Sequence, residues 1–367
     1  MIRFNALLAA ALVAAPVGAA APETATEADR LLDKAYDIEC PVFDSDLLLT
    51  SSPEKVESEG ARVEKACLAR LAAIKAAHDA AAATETSRHR ALKAYLSTIT
   101  DLGRNDIERL KPASALRYLD DGFATMMGHY DGGKHFHTLI ENLPLMFETH
   151  RALALVGRSE DSKAALGTAR EVIEGAYQTF GKDVPDKGRV RDALSLGYQL
   201  ERNLGYFWSE RSADLAAEGK TAEAKAARAM AAEAFGQWLR ISDLNISGSK
   251  SAGEERRARS VGAQALHGIA RVQFADGDRA GAARSLAAAE GRVCGIVDPL
   301  EDDAKLCTRV RTNLAIARGE TPGDLSPMGM TGAKEQIAAL RAALMADVEA
   351  NNQKVRKALD GLSAGNK

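Results

Sequence analysis

The run from Arg189 to Ile241 leaves this chain few folds to choose from. Val190, Ala193, Leu194, Gly197, Leu200, Leu204, Trp208 and Leu215 recur at steps of three, four and seven, which lines one side of a helix and no side of a strand. Gly219 and Lys220 then offer a tight turn, because glycine accepts the left-handed backbone with which helices commonly end. Ala222, Ala224, Ala227, Ala231 and Ala234 allow a closely packed return helix. A loop this short makes the two helices antiparallel neighbours.

The same pattern predicts helices elsewhere. Ser52-Pro53-Glu54 is an N-cap with proline at the first helical position, opening a helix to about Ala83. Thr84 caps a second that runs to near Gly103, and a third carries Leu116, Leu119, Phe123 and Met126 as far as Asp131-Gly132-Gly133. No alternating segment rich in β-branched residues occurs, and aromatic content is 5%, so the expected fold class is all-α, as stacked antiparallel hairpins.

The hairpins resemble tetratricopeptide repeats. Trp208 precedes the turn glycine Gly219 by eleven residues, Ser212 by seven and Leu215 by four, while Ala224 and Ala231 follow by five and twelve. Around Gly277, followed directly by Asp278, the corresponding residues are Leu266, Ile269, Ala270, Ala282, Leu286 and Ala289. Around Gly157 they are Leu153, Leu166 and Ala169, with His150 at a small-residue position. The glycines stand 62 and 58 residues apart, against about 34 in the family. A divergent array with lengthened helices and loops follows. The resemblance implies that partners bind along the inner face of each first helix, at Tyr206, Ser209, Gln264, His267 and Arg271. An Arg, a His and a Gln in one groove suit a peptide carboxylate or acidic side chain.

Arg3, the apolar run Ala6 to Ala15, and the small residues Ala19 to Ala21 read as a signal peptide over residues 1–20, leaving about 347 residues in a periplasmic or secreted protein. An oxidising compartment favours disulfides. Of three possible pairings of the four cysteines, Cys40 with Cys67 and Cys294 with Cys307 is the simplest, the alternative being buried thiols. The division expected is an N-terminal helical region at 21–133, the hairpins at 134–318, a Gly/Pro-rich linker at 319–332 and an amphipathic helix at 333–367. Ile337, Leu340, Leu344, Val348, Asn351 and Val355 line that last helix, which either docks on the body or self-associates through residues 333–362.

Charged residues of both signs make up 27% of the chain and the net charge is −3, which gives nucleic acid no bulk attraction. No second apolar segment is long enough to span a membrane. Nucleophile elbows, phosphate loops and dinucleotide fingerprints are absent. His129, Asp131, His135 and His137 offer imidazole and carboxylate to zinc or copper if the turn is extended. The leading expectation is therefore a non-catalytic, exported helical-repeat protein that binds a protein or peptide in a groove. The alternatives are a metal-binding protein or metal-dependent enzyme at the histidine turn, and a self-assembling envelope protein joined through its last helix.

Overall fold

The computed structural model describes residues 26–44, 47, 51–80, 84–129, 140–180, 182 and 187–329. Among them the chain is all helix and turn. Eleven helices follow in order: α1 (Glu27–Tyr36), α2 (Pro53–His78), α3 (Glu85–Glu108), α4 (Pro112–His129), α5 (Leu143–Leu155), α6 (Ser159–Thr179), α7 (Lys187–Ala217), α8 (Thr221–Ser247), α9 (Ala252–Ala275), α10 (Arg279–Val293) and α11 (Glu301–Arg318). The proposed signal peptide, Asp131, His135, His137 and the last amphipathic stretch lie outside the described residues.

Two helix starts follow the caps read from the sequence: Ser52 accepts from the Lys55 amide ahead of Pro53, and Thr84 from the Ser87 amide. The structure adds Ser251, which accepts from the Glu254 amide at the start of α9. Two ends differ from expectation. The second helix closes at His78, and the third continues past Gly103 to Glu108. Gly103 does not stop its helix because it serves a contact: a Cβ there would run into the Leu119 side chain of α4.

Three hairpins, α5–α6, α7–α8 and α9–α10, close through one turn geometry. Gly157, Gly219 and Gly277 have φ of 81°, 76° and 83°. The next residues, Arg158, Lys220 and Asp278, have ψ of 67°, 65° and 71°. Each of those amides reaches back to the carbonyl of Leu153, Leu215 or Gln273 at 2.9 Å, the long bond of a Schellman motif. Gly319 ends α11 in the same way, with φ 77° and Glu320 N on Ala315 O at 2.9 Å.

The repeated turn stacks the hairpins in register. Every odd-numbered helix packs on the next odd one from α1 to α11, so these six form one continuous face. The even helices lie behind and are tied to each other by polar bridges. Tyr118 of α4 donates to Glu64 of α2 at 2.6 Å, and Arg240 of α8 pairs with Glu174 of α6 at 2.5 Å. Arg292 of α10 reaches Asp243 of α8 at 2.5 Å.

One apolar core runs through α3 to α8 around Leu96, Leu119, Leu143, Met146 and Leu204, and a second joins α9, α10 and α11 around Leu266, Leu286 and Val310. Phe235 of α8 wedges between α7 and α9, where Gly205 and Gly268 make room for its ring: Cβ atoms there would lie 2.5 and 2.8 Å from it. Disulfides staple both ends. Cys40–Cys67 ties the segment after α1 to α2, and Cys294–Cys307 ties α10 to α11, with Cα separations of 4.4 and 5.1 Å.

Glycine chemistry at the turns is testable. Gly219→Ala places a side chain at positive φ and is expected to cost about 1 kcal/mol. Gly236→Ala, inside α8 with nothing near its Cβ, is expected to stabilise by about 0.5 kcal/mol or more. Thermal melts of the two variants shifting in the same direction would contradict this geometry.

Candidate functional site

The residues expected to line a groove fall on two odd helices, α7 and α9, in unequal positions. Tyr206 is 38% exposed and sets its ring edge against Phe235, 5.3 Å between centroids. Gln264, His267 and Arg271 follow one another along one side of α9, each partly exposed. Ser209 points inward instead: it is buried, and its hydroxyl has no hydrogen-bond partner among the described residues.

His267 and Arg271 are engaged by the chain itself. The Asn313 amide of α11 lies 2.6 Å from His267 Nε2, which accepts from it. Burial, then the charges of Arg271 and Arg309, push this imidazole down to about 4. Arg271 Nε donates to Leu325 O at 3.1 Å and its Nη2 to Ser326 O at 3.4 Å. The Gly/Pro-rich stretch after α11 is thus laid against the face. Leu325, Pro327 and Gly329 are all buried there.

Several residues of this face are absent from the sequence reading. Arg202 and Arg309 join the expected Arg271 in placing positive charge near the Tyr206 hydroxyl, whose pKa burial raises against those charges. One helical turn on, Glu210 carries a carboxyl raised to about 7, by burial first and by Glu108 and Asp214 next, against the opposing charges of Arg151 and Arg271. Stepping by four from Tyr206 would have found Glu210 and Asp214. The face is therefore basic beside Tyr206 and acidic beside Glu210. On α3 and α5 it is closed by paired charges, Arg104 with Glu148 and Arg151 with Glu108, each at 3.0 Å.

His150 sits behind this face and is fully satisfied. Trp208 Nε1–H donates to its Nε2 at 3.2 Å, so the ring proton is on Nδ1, which donates to Ser162 O at 2.9 Å. Burial holds its pKa down to about 4. With both nitrogens engaged it is a neutral bracket between α5, α6 and α7, with no lone pair left for a substrate.

His129 closes α4, and its three partners in the expected metal set are outside the described residues, among which no group of three or more His, Cys, Asp or Glu is placed to hold a metal. A hollow of about 820 Å³ lies at the other end of α7, lined by Arg191, Tyr198, Gln199 and Arg257. Its charged groups are solvent-exposed, and its buried polar side chain, Ser242, spends its proton on the Ala258 carbonyl at 2.7 Å, which leaves no free buried donor to fix a ligand. No helix among the described residues is long and apolar enough to cross a membrane.

No protein-family model matches the chain, and no curated protein matches it. What is established is a helical array with stacked neighbouring hairpins and two disulfides, a cysteine usage that fits an oxidising compartment.

His150 gives a pH signature. Its native pKa of about 4 lies below the ordinary 6.5, so the unfolded chain takes up a proton first as pH falls. Stability from this residue is complete above pH 6.5 and is lost between 6.5 and 4, by up to about 3 kcal/mol. Glu210 acts in the opposite sense, since its raised native pKa favours folding at lower pH. The histidine is therefore isolated by difference: urea titrations should show the advantage of wild type over His150→Gln shrinking by about 3 kcal/mol between pH 7 and pH 4. A gap constant with pH would refute the assignment.

Proposed function

We propose that this is an exported helical-repeat protein of the tetratricopeptide type that binds a protein or peptide partner on its odd-helix face, acting by binding and not by catalysis. The observation carrying this reading is that Leu325 to Gly329 already lie on that face as an extended peptide would, with two successive carbonyls held by one arginine. Recognition through main-chain carbonyls leaves a side-chain pocket to supply selectivity. The three alike hairpin turns and the run of first helices along one face support the family resemblance. The apolar leader at residues 1–20 and the two disulfides support a periplasmic or secreted location.

Arg202, Tyr206 and Arg309 belong to the face and, among the described residues, make no hydrogen bond to the segment from Leu325 to Gly329. The mature chain is expected to capture one stoichiometric partner by crosslinked pull-down from the exported fraction of its own cells. The Arg202→Ala, Tyr206→Ala, Arg309→Ala variant should lose it. Retention of the same partner by the variant, or no partner with wild type, would sink the proposal.

A further inference from the structure

The stretch after α11 is built to stay on the odd-helix face. Gly319 turns the chain out of the helix, and Gly323 brings it back over the last turn, where a Cβ would lie 2.7 Å from the Ile316 side chain. Asp324 Oδ1 then accepts from the Ser326 amide at 2.8 Å, a side-chain turn that presents the next residue inward. Leu325, 5% exposed, enters the core shared by α9, α10 and α11. Arg271 clamps the carbonyls of Leu325 and Ser326, and its charge also favours the Asp324 carboxylate, whose pKa is lowered first by the Ser326 amide. Pro327 is buried, and Gly329 lies so close to α7 that a Cβ would stand 2.8 Å from the Asp214 amide nitrogen.

Six residues therefore cross from α11 over α9 to α7 and supply every element by which a groove holds a ligand peptide. These are an apolar anchor, a clamped main chain, an acid beside an arginine, and a glycine where the helix comes close. A linker with no task on this surface would need none of them. The segment is tethered to the surface it occupies, so its effective concentration there is of the order of millimolar. Any partner using the same face has to displace it.

We propose that Asp324–Gly329 is a built-in competitor for the binding face. The partner it mimics is an extended peptide with an acidic residue directly before a leucine-sized apolar residue, and with only a small residue where the chain meets α7. This rests on reading the odd-helix face as the binding surface. The strap sets a threshold: a matching sequence takes the face, and weaker ones lose to the tethered copy.

The test uses the full mature chain and a fluorescent peptide of the sequence Gly319 to Gly332. Anisotropy titrations compare wild type, Leu325→Gly, and Leu325→Gly with Arg271→Ala. Releasing the strap in Leu325→Gly should tighten peptide binding by about tenfold or more. Removing Arg271 in the same chain should abolish the gain. Equal affinity in wild type and Leu325→Gly, or no binding to a Leu325→Gly chain whose helical circular dichroism is intact, overturns the proposal. Should Leu325→Gly not fold, Asp324→Arg gives a second reading. That side chain is solvent-exposed, its reversal sets charge against Arg271, and the same tightening is expected, with equality again refuting. The outcomes separate from those of the pull-down. A partner captured equally by wild type and strap-released chains defeats the competitor while leaving the binding function. Tightened peptide binding with no cellular partner does the reverse.

Discussion

A left-handed glycine followed by one residue in the inverse γ-turn conformation closes three successive hairpins, and the alignment of the odd helices depends on that repeated geometry. Because Gly157, Gly219 and Gly277 leave their helices in the same way, each return helix departs at a like angle and each next first helix comes back beside the last. The face carrying Arg202, Tyr206, Glu210, Arg271 and Arg309 is a consequence of this. The helices are long, so the face offers several turns of each one to a bound chain.

Behind the face, polar groups are used to hold position. Arg170 of α6 grips the buried Glu201 of α7 through two bonds, 2.8 and 3.0 Å, and reaches Glu233 of α8 at 2.6 Å. A buried pair of this kind adds little net stability, but losing one partner strands the other charge, so it penalises any other register of the three helices. His150 does the same with neutral groups. Both arrangements are explained by packing. On the open face, Glu210 and the arginines near Tyr206 are not used in this way.

Much of the fold is legible from residues whose roles are local. Glycines at the turns, Ser and Thr before helix starts, and two cysteine pairs close in sequence all act within a few turns of themselves or on near neighbours. Gly103 misleads for the converse reason: its small size serves Leu119 on another helix, and a helix interior tolerates glycine when packing rewards it. The face was legible only by offset. Arg271 was found from the repeat pattern, while Ser209, one helical step out of place, turns inward. The strap was not legible as a strap. Its sequence has no period, and its burial depends on Arg271, 54 residues away, and on Asp214 farther still. Gly319 carries the same turn as the three hairpin glycines, yet among the described residues an extended segment follows it in place of a return helix.

Whether the segment after α11 is held on the odd-helix face can be read most directly by hydrogen exchange on the intact protein. If Arg271 holds the strap in place, the amides of Leu325 and Ser326, both engaged by the Asp324 carboxylate, exchange about tenfold or more slowly than in a free peptide of that sequence. That protection is lost in Arg271→Ala while the amides within α7 and α9 keep theirs. Free-peptide exchange at these two amides in the wild-type protein would contradict the account.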